Sequence, residues 1–349
     1  MREKLTGTMA MGWNLGRGVH FAVQQRLFPL VEMLVTRKRP WHPEELKDKL
    51  SLLLRSEVDL LKRDANHIAA GIYPWEVLIP ERPWTHGLRY LRILQDAYRV
   101  NSRKLEKDHM DFSPEAKRRL SHAPDYYKRN FHFQTDGYAS DHSADLYDHQ
   151  VDILFSGATD AMRRSILPPL KHGLTPYARL LEMGCGTGRL TRFASMTFPE
   201  GEIIAVDPSE PYLLAAKEMT KGLGNVRFKK AFAEKVKIEE GSFSGAYSCF
   251  LFHELPKSVR RAVMKKMIKA VEPNGLIVIV DSLQLGDMPE MDWALKRFPS
   301  DFHEPFYADY SKDKMELWTK DFPELRLVES SNQFLSKLVV FRRLDKHED

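Results

Sequence analysis

The stretch Leu180-Leu-Glu-Met-Gly-Cys-Gly-Thr-Gly188 decides the fold class of this chain. A short apolar run leads into three glycines at alternate positions, Gly184, Gly186 and Gly188, and a helical pattern follows. Glycine at these positions indicates a tight turn with positive φ and a close approach of a ligand to the backbone. The first turn of the next helix offers N–H groups to a polar or anionic ligand. The pattern therefore predicts a strand, a ligand-binding turn and a helix.

The spacing of these glycines excludes two common nucleotide-binding loops. A dinucleotide loop of the form GxGxxG would need a glycine where Arg189 stands, and the phosphate loop GxxxxGK followed by Ser or Thr does not occur. The stretch Glu202-Ile-Ile-Ala-Val-Asp207 supplies an acid 19 residues after Gly188. A carboxylate at the tip of a second strand is placed to accept both hydroxyls of a ribose. A tight turn without any ligand is the alternative.

From residue 177 onward, short β-like runs alternate with amphipathic helical patterns. The predicted strands are Arg179–Met183, Glu202–Val206, Asn225–Lys229, Gly245–Leu251 and Leu276–Val280, and the predicted helices between them are Leu190–Thr197, Pro211–Lys221 and Ser258–Val271. Two closing strands are predicted at Leu325–Glu329 and Leu338–Arg342. This order predicts a parallel sheet covered by helices on both faces.

Residues from about 177 to 342 resemble the class I S-adenosylmethionine-dependent methyltransferase family, in the small-molecule branch that includes the ubiquinone/menaquinone C-methyltransferases. The stretches Phe252-His-Glu-Leu-Pro256 and Val271-Glu-Pro-Asn-Gly275 are similar to turns of that family. The resemblance implies an α/β fold, with a Rossmann-like, doubly wound sheet of seven strands whose last strand is antiparallel. It also implies S-adenosyl-L-methionine as the cofactor.

Three positions depart from the family pattern. Phe232 stands where relatives usually carry an acid that contacts the adenine, Ser244 replaces an Asp that often opens the fourth strand, and Asn274 replaces the second glycine of a PGG turn. These departures leave the cofactor pocket in place but argue against assigning a named subfamily.

The resemblance also implies a set of cofactor contacts. Glu182 would hold the methionine amino group through the loop, and Asp207 would bind the ribose. The other implied contacts are Gly184, Cys185, Gly186 and Gly188 in the loop, Pro208 and Ser209 beside the adenine, Ala233 and Glu234 after the third strand, and Tyr138 and Tyr147 over the methionine end.

Candidate catalytic residues follow the fourth and fifth predicted strands. The neutral imidazole of His253 could take a proton from the methyl acceptor, although a turn-capping or pocket-wall histidine is the alternative. The mixed segment 298–307 adds His303, Glu304 and Tyr307, for which loop packing is the alternative. Neither His253-Glu254 nor His303-Glu304 continues as HExxH, which excludes a zincin.

The first 176 residues carry different patterns. Helical periodicity at Val19–Leu34, Leu46–Leu61 and Leu88–Leu105 predicts an N-terminal helical domain over residues 1–120, which would serve as a lid, substrate wall or dimerisation surface. Ser113 before Pro114 indicates a helix start. Residues 121–176 are predicted to be an aromatic-rich connecting and cover segment ahead of a cofactor-binding domain over 177–349, and a hairpin or helix packed on the core is the alternative for 122–150. Because no two histidines of 122–150 have helical i,i+3 or i,i+4 spacing, we expect no metal site there.

Composition sets bounds on partners and compartment. The 349 residues include 43% hydrophobic and 29% charged residues, as in globular enzymes, and no run reaches the roughly 20 apolar residues of a transmembrane helix. The two cysteines fit a reducing, cytoplasmic compartment. Residues 1–120 carry 22 Lys and Arg against 15 Asp and Glu, so these helices are candidates for peripheral membrane contact, and an ordinary solvated helical face is the alternative. A homodimer is the candidate assembly.

The sequence thus predicts a methyltransferase that acts on a small, apolar or aromatic acceptor by O- or C-methylation. A nucleic-acid methyltransferase is the first alternative, but the turn after the fourth strand reads Phe-His-Glu-Leu-Pro rather than Asn/Asp-Pro-Pro-Tyr, so we expect no nucleic-acid partner. A non-methylating protein that binds S-adenosylmethionine is the second alternative.

Overall fold

The computed structural model describes residues 2–26, 44–80, 83–106 and 110–345. The N-terminal region contains α1 (Arg2–Gln25), α2 (Glu44–Ala69), α3 (His86–Glu106) and α4 (Pro114–Leu120). The predicted helix Val19–Leu34 corresponds to the end of α1, and its second half lies outside the described residues. Within the described residues, no helix has the length and apolarity needed to cross a bilayer.

The middle of the chain contains two short 3-10 turns and three helices. The turns are Asp125–Tyr127 and Phe131–Phe133, and the helices are α5 (Asp141–Leu154), α6 (Thr159–Arg164) and α7 (Leu167–Gly173). Serine side chains begin two of the helices: Ser113 accepts the N–H of Ala116 at the start of α4, as predicted, and Ser140 accepts that of Ser143 at the start of α5.

The sheet region alternates strands and helices in the predicted order. It comprises β1 (Arg179–Met183), α8 (Arg189–Thr197), β2 (Glu202–Asp207), α9 (Glu210–Met219), β3 (Val226–Lys230), β4 (Phe243–Cys249), α10 (Lys257–Ala270), β5 (Val271–Ser282), α11 (Asp292–Asp301), α12 (Tyr307–Tyr310), β6 (Leu325–Gln333) and β7 (Ser336–Arg343). The strand order is β3-β2-β1-β4-β5-β7-β6. Strands β1 to β5 pair in parallel, and β7 inserts antiparallel between β5 and β6. The predicted seven-stranded, doubly wound sheet is therefore confirmed.

Side chains alternate between the two faces of the sheet, so both faces are covered. On one face, Leu181 and Ile277 pack with Met264 of α10 and with Trp318. On the other face, Leu180 and its neighbours pack with Phe193 of α8. A strand buried on both sides is apolar along its whole length, which explains the Ile and Val run of β5.

The N-terminal helices pack on the second face of the sheet. Ala10 of α1 and Ala65 and Ile68 of α2 belong to the same buried cluster as Leu180 and Val278 of the sheet. A buried ion pair fixes this arrangement, since Arg164 of α6 donates to both carboxylate oxygens of Asp64 of α2 at 2.7 Å each. The helices are thus continuous with the core that carries β1 and the glycine turn.

Candidate functional site

The glycines of the turn between β1 and α8 differ in their surroundings. All three have positive φ, of 74°, 54° and 78° at Gly184, Gly186 and Gly188. A Cβ at Gly188 would lie 2.8 Å from the Cα and Cβ of Ala216, so this glycine allows α8 to approach α9. A Cβ at Gly186 would have only Tyr212 Cδ1 within 4 Å, at 4.0 Å. Gly186 is therefore the position where the backbone borders open space.

Asp207, the last residue of β2, is bonded to this turn. One carboxylate oxygen accepts the N–H of Gly186 and the other accepts that of Ser209, each at 2.9 Å. Burial raises the pKa of the Asp207 carboxyl to about 6, against the lowering effect of these two N–H groups. Each carboxylate oxygen can accept further hydrogen bonds, so Asp207 can also receive hydroxyl groups of a ligand.

Glu182 lies one residue before the end of β1 and is buried. Its Oε2 atom accepts hydrogen bonds from Thr191 Oγ1 at 2.6 Å and from Tyr247 Oη at 3.1 Å. Burial raises the pKa of this carboxyl to about 7. The two hydroxyl groups orient a second carboxylate towards the same end of the sheet as Asp207.

These groups border a cavity at the carboxyl ends of β1, β2 and β4, which we call the loop cavity. Its lining includes Glu182, Gly184, Cys185, Gly186, Asp207 and Pro208 from the first two strands, Phe232, Ala233 and Glu234 from the segment after β3, and Phe250, Leu251 and Glu254 after β4. Gly188 and Ser209 are absent from the lining: Gly188 packs on α9, and Ser209 begins α9 by accepting the N–H of Tyr212.

Aromatic side chains from residues 126–147 cover the loop cavity. The cover consists of Tyr126, Tyr127, Phe131, Tyr138 and Tyr147. Tyr126 Oη donates to Glu234 at 3.0 Å, Tyr138 Oη donates to Glu254, and the rings of Phe131 and Tyr138 stack. About 110 Å³ of free space remains beneath the cover.

A buried network of charges joins the N-terminal helices to the glycine turn. Asp160 of α6 pairs with Arg17 of α1 at 2.7 Å and with Arg189, the residue after the turn, at 2.6 Å. Thr187 Oγ1, within the turn, donates to Asp148 of α5 at 2.6 Å. Because charges in low dielectric need partners, this network holds the turn against α1, α5 and α6.

Two arginines of this site were missed by the sequence analysis. Arg163 and Arg189 both line the loop cavity. Arg163 pairs with Asp148 at 3.1 Å and with Asp160 at 3.2 Å. Arg189 could have been predicted as a site residue, because it directly follows the glycine turn. Arg163 lies outside any motif, and only the packing of α6 brings it to the cavity.

A second, larger cavity of about 380 Å³ lies between the N-terminal helices and the cover, and we call it the helix cavity. Its walls are mainly apolar, with Ile93, Ala97 and Val100 from α3, Val151, Ile153 and Leu154 from α5, Phe133 from the cover segment, and Phe302. Tyr147 lines both cavities. A small apolar molecule in the helix cavity and a ligand in the loop cavity would therefore both border this side chain.

None of the three predicted catalytic residues, His253, His303 and Tyr307, lines the loop cavity or the helix cavity. His253 Nδ1 is 2.5 Å from Asp281 Oδ1, and the other carboxylate oxygen of Asp281 accepts the N–H groups of Leu251 and Phe252, so this pair shapes the turn after β4. Tyr307 is fully buried and bonded to Ser282 and to the carbonyl of Leu283. The ring of His303 contacts that of Phe133.

Comparison with known proteins agrees with the fold and the glycine turn. Residues 180–275 match the family described as a methyltransferase domain. The chain is 29% identical to trans-aconitate 2-methyltransferase of Deinococcus radiodurans over 104 residues, 30% of this chain and 38% of that protein. It is 34% identical to malonyl-[acyl-carrier protein] O-methyltransferase of Bacillus cereus over 88 residues, 25% of this chain and 32% of that protein.

A third relative belongs to the quinone branch. The chain is 26% identical to demethylmenaquinone methyltransferase of Bacillus cytotoxicus over 144 residues, 40% of this chain and 59% of that protein. The chain thus spans less than two thirds of the length of each of these relatives.

The strand order, the turn between β1 and α8, the acid that ends β2 and the matched domain define one class of protein. The chain carries a class I S-adenosylmethionine-dependent methyltransferase domain, whose cofactor is S-adenosylmethionine. The residues present fit this cofactor: a side chain at Gly186 would enter open space beside the backbone, and Asp207 and Glu182 are acceptors for hydroxyl and ammonium groups.

Proposed function

We propose that the protein transfers a methyl group from S-adenosylmethionine to a small, largely apolar or aromatic acceptor that binds in the helix cavity. The observation that carries this proposal is the pair of adjoining cavities, in which one wall residue, Tyr147, borders both. The loop cavity has the acids and the open backbone that a nucleoside needs, whereas the larger cavity has mainly apolar walls that also carry polar side chains such as His132 and Asp301. An apolar pocket with few polar groups is typical of small-molecule sites.

Each end of the cofactor has a matching group in the loop cavity. Asp207 would accept the ribose hydroxyls, and Phe232 and Glu234, with Ala233 and Pro208, would border the adenine. Glu182 would face the methionine ammonium group, and Arg163, which lines the same cavity, would face its carboxylate. S-adenosylmethionine, when bound, supplies the activated methyl group.

The remaining residues would position the acceptor and exclude water. The aromatic cover places Tyr138 and Tyr147 over the cavity, and removal of water from a reactive sulfonium suppresses its side reactions. Alignment of the acceptor with the methyl group supplies much of the acceleration in such a reaction, because a bimolecular encounter becomes an intramolecular one. His253 with Asp281 would act by holding the turn after β4 rather than by touching the acceptor.

Two measurements test the proposal. Calorimetry with S-adenosylhomocysteine should show one site per chain, and incubation with methyl-labelled S-adenosylmethionine and a metabolite extract should give a labelled product in the organic phase. Cofactor binding with no labelled product in any fraction would favour the non-methylating alternative. Label on added RNA or DNA instead of a small molecule would favour the nucleic-acid alternative.

A further inference from the structure

One buried carboxylate, next to the helix-cavity residue His132, lacks a hydrogen bond. Glu304 is 0% exposed, and neither of its carboxylate oxygens accepts a hydrogen bond from the described residues. A carboxylate removed from water is costly unless it is paired, and unsatisfied buried groups in native proteins indicate a bound water or ion. An imidazole lies beside it, since His132 Nε2 is 3.1 Å from Glu304 Oε1.

Glu254 brings a second carboxylate to the same imidazole. Its Oε1 atom lies 3.5 Å from His132 Nε2, and one donor atom from each of the three side chains lies within 4.8 Å of the others. A metal ion with bonds of about 2.0–2.2 Å to nitrogen and oxygen places neighbouring ligand atoms roughly 3.0–3.5 Å apart. The two distances from His132 fall in that interval.

We propose that His132, Glu254 and Glu304 bind one divalent transition-metal ion. An imidazole with two carboxylates suits ions such as Mn²⁺ and Zn²⁺ better than Mg²⁺ or Ca²⁺, which prefer sites made of oxygen alone. Two positive charges would balance the two carboxylates, which lie in a poorly hydrated part of the protein. Tyr138 Oη donates to Glu254 and orients it, as outer partners of metal ligands commonly do.

The three ligands come from three distant segments, so local spacing could not reveal the site. His132 lies in the turn Phe131–Phe133 with a φ of 55°, a backbone conformation that side chains rarely adopt. Glu254 follows β4, and Glu304 precedes α12. An observed strained residue is a pointer to function, and here it aims the imidazole at the two carboxylates.

Two of the three ligands border the cavities, so a bound ion would be able to contact the methyl acceptor. His132 lines the helix cavity and Glu254 lines the loop cavity. Three protein ligands leave coordination positions for water or for a ligand atom. An oxygen or nitrogen atom of the methyl acceptor would occupy one of them, a role that rests on the proposed function above.

Metal binding can be measured without cofactor or acceptor, so its outcome is independent of methyl transfer. The full chain is treated with chelator and titrated with Mn²⁺, followed by electron paramagnetic resonance, and with Zn²⁺, followed by calorimetry. We expect one ion per chain. Glu304→Gln and His132→Gln should each weaken affinity at least tenfold.

A matched control is Asp301→Asn, which removes a carboxylate from the same helix cavity but outside the cluster. It should leave the metal affinity within twofold of the unsubstituted chain. Thermal unfolding and S-adenosylhomocysteine binding of each variant show that it is folded. Absence of stoichiometric binding of both ions, or equal affinity in Glu304→Gln and the unsubstituted chain, would overturn the proposal.

Discussion

The carboxylate of Asp207 joins the glycine turn to the end of β2 and faces the loop cavity at the same time. Its two oxygens accept N–H groups from Gly186 and Ser209, so its position is fixed before any ligand binds. Asp207→Asn should weaken the binding of S-adenosylhomocysteine by about 1–3 kcal/mol, because hydrogen bonds to a charged acceptor are lost. Calorimetry measures this. Glu210→Gln, which removes an exposed carboxylate three residues away, serves as the control; an equal loss in both variants would contradict the role of Asp207.

Affinity for the cofactor should also depend on pH through Asp207. Its pKa is raised by burial to about 6, so the carboxylate accepts hydrogen bonds fully only above that pH. Affinity should therefore fall between about pH 7 and about pH 5. The contribution of Asp207 to the free energy of unfolding should change in the opposite direction and rise as the pH falls through this range. The reason is that the folded chain holds a proton on Asp207 at a pH where the unfolded chain has released it.

The pH dependence that arises from Asp207 must be separated from that of Glu182, because burial raises the pKa of Glu182 to about 7. Calorimetry across this pH range on the unsubstituted chain and on Asp207→Asn isolates the lower step. The variant should retain only the dependence that arises near pH 7. A variant profile that still falls with a midpoint near 6 would assign that step to another group.

Gly186 and Gly188 should respond differently to the same substitution. In Gly188→Ala the new methyl group would meet Ala216 at 2.8 Å, at a φ of 78°, so the free energy of unfolding should fall by about 2–5 kcal/mol. In Gly186→Ala the strain costs about 1–2 kcal/mol, but the methyl group enters the loop cavity, so cofactor affinity should fall at least about tenfold. Denaturant unfolding and calorimetry together separate the two effects. Equal loss of stability in both variants would show that the two glycines have the same role.

At the scale of elements, the aromatic cover must move for the cofactor to enter. The free space beneath it is about 110 Å³, whereas pockets for small ligands are about 300–1,000 Å³. Amide hydrogen exchange in residues 125–138 should therefore be faster in the free protein and slow on addition of S-adenosylhomocysteine. The strand Val271–Ser282, which lies inside the sheet and lines neither cavity, serves as the internal reference. Unchanged exchange in the cover at saturating ligand would contradict this account.

The sheet elements could be predicted from the sequence, because their signals are local. The run Arg179–Met183 was predicted residue for residue, and the second predicted strand ends one residue before its observed end at Asp207. Helices α6 and α7 were not predicted, since both are short. In α6, the polar residues Asp160, Arg163 and Arg164 are buried because they pair with residues elsewhere in the chain. Periodicity can be recognised in a short stretch of sequence, whereas an ion pair between distant residues leaves no pattern in the sequence around either of them.

The site shows the same division between local and distant signals. The glycine turn and Asp207 lie within 28 residues of the chain, and the sequence locates both. The cluster of His132, Glu254 and Glu304 joins segments separated by as many as 172 residues, and only the folded chain brings it together. His253 was predicted to be catalytic because it follows β4. Its bond to Asp281, which shapes the turn, could not be predicted from that position.

At the scale of the whole molecule, the N-terminal helices form the wall of a cavity that the sheet region alone does not have. Ala97 of α3 faces the helix cavity and is 7% exposed, whereas Leu91 of the same helix is 57% exposed and faces away. If the acceptor binds in this cavity, Ala97→Phe should fill part of it. The kcat/KM for the acceptor should then fall at least about tenfold, since added bulk in a packed site also forces neighbouring side chains to move.

Cofactor affinity separates this effect from general damage, because the loop cavity does not include Ala97. We expect S-adenosylhomocysteine to bind Ala97→Phe within twofold of the unsubstituted chain, and Leu91→Phe to leave both kcat/KM and cofactor affinity unchanged. Label transfer from methyl-labelled S-adenosylmethionine to the extracted acceptor gives the rate. Full activity of Ala97→Phe would place the acceptor elsewhere, and the N-terminal helices would then support the glycine turn through Arg17 and Asp160 without contacting the acceptor.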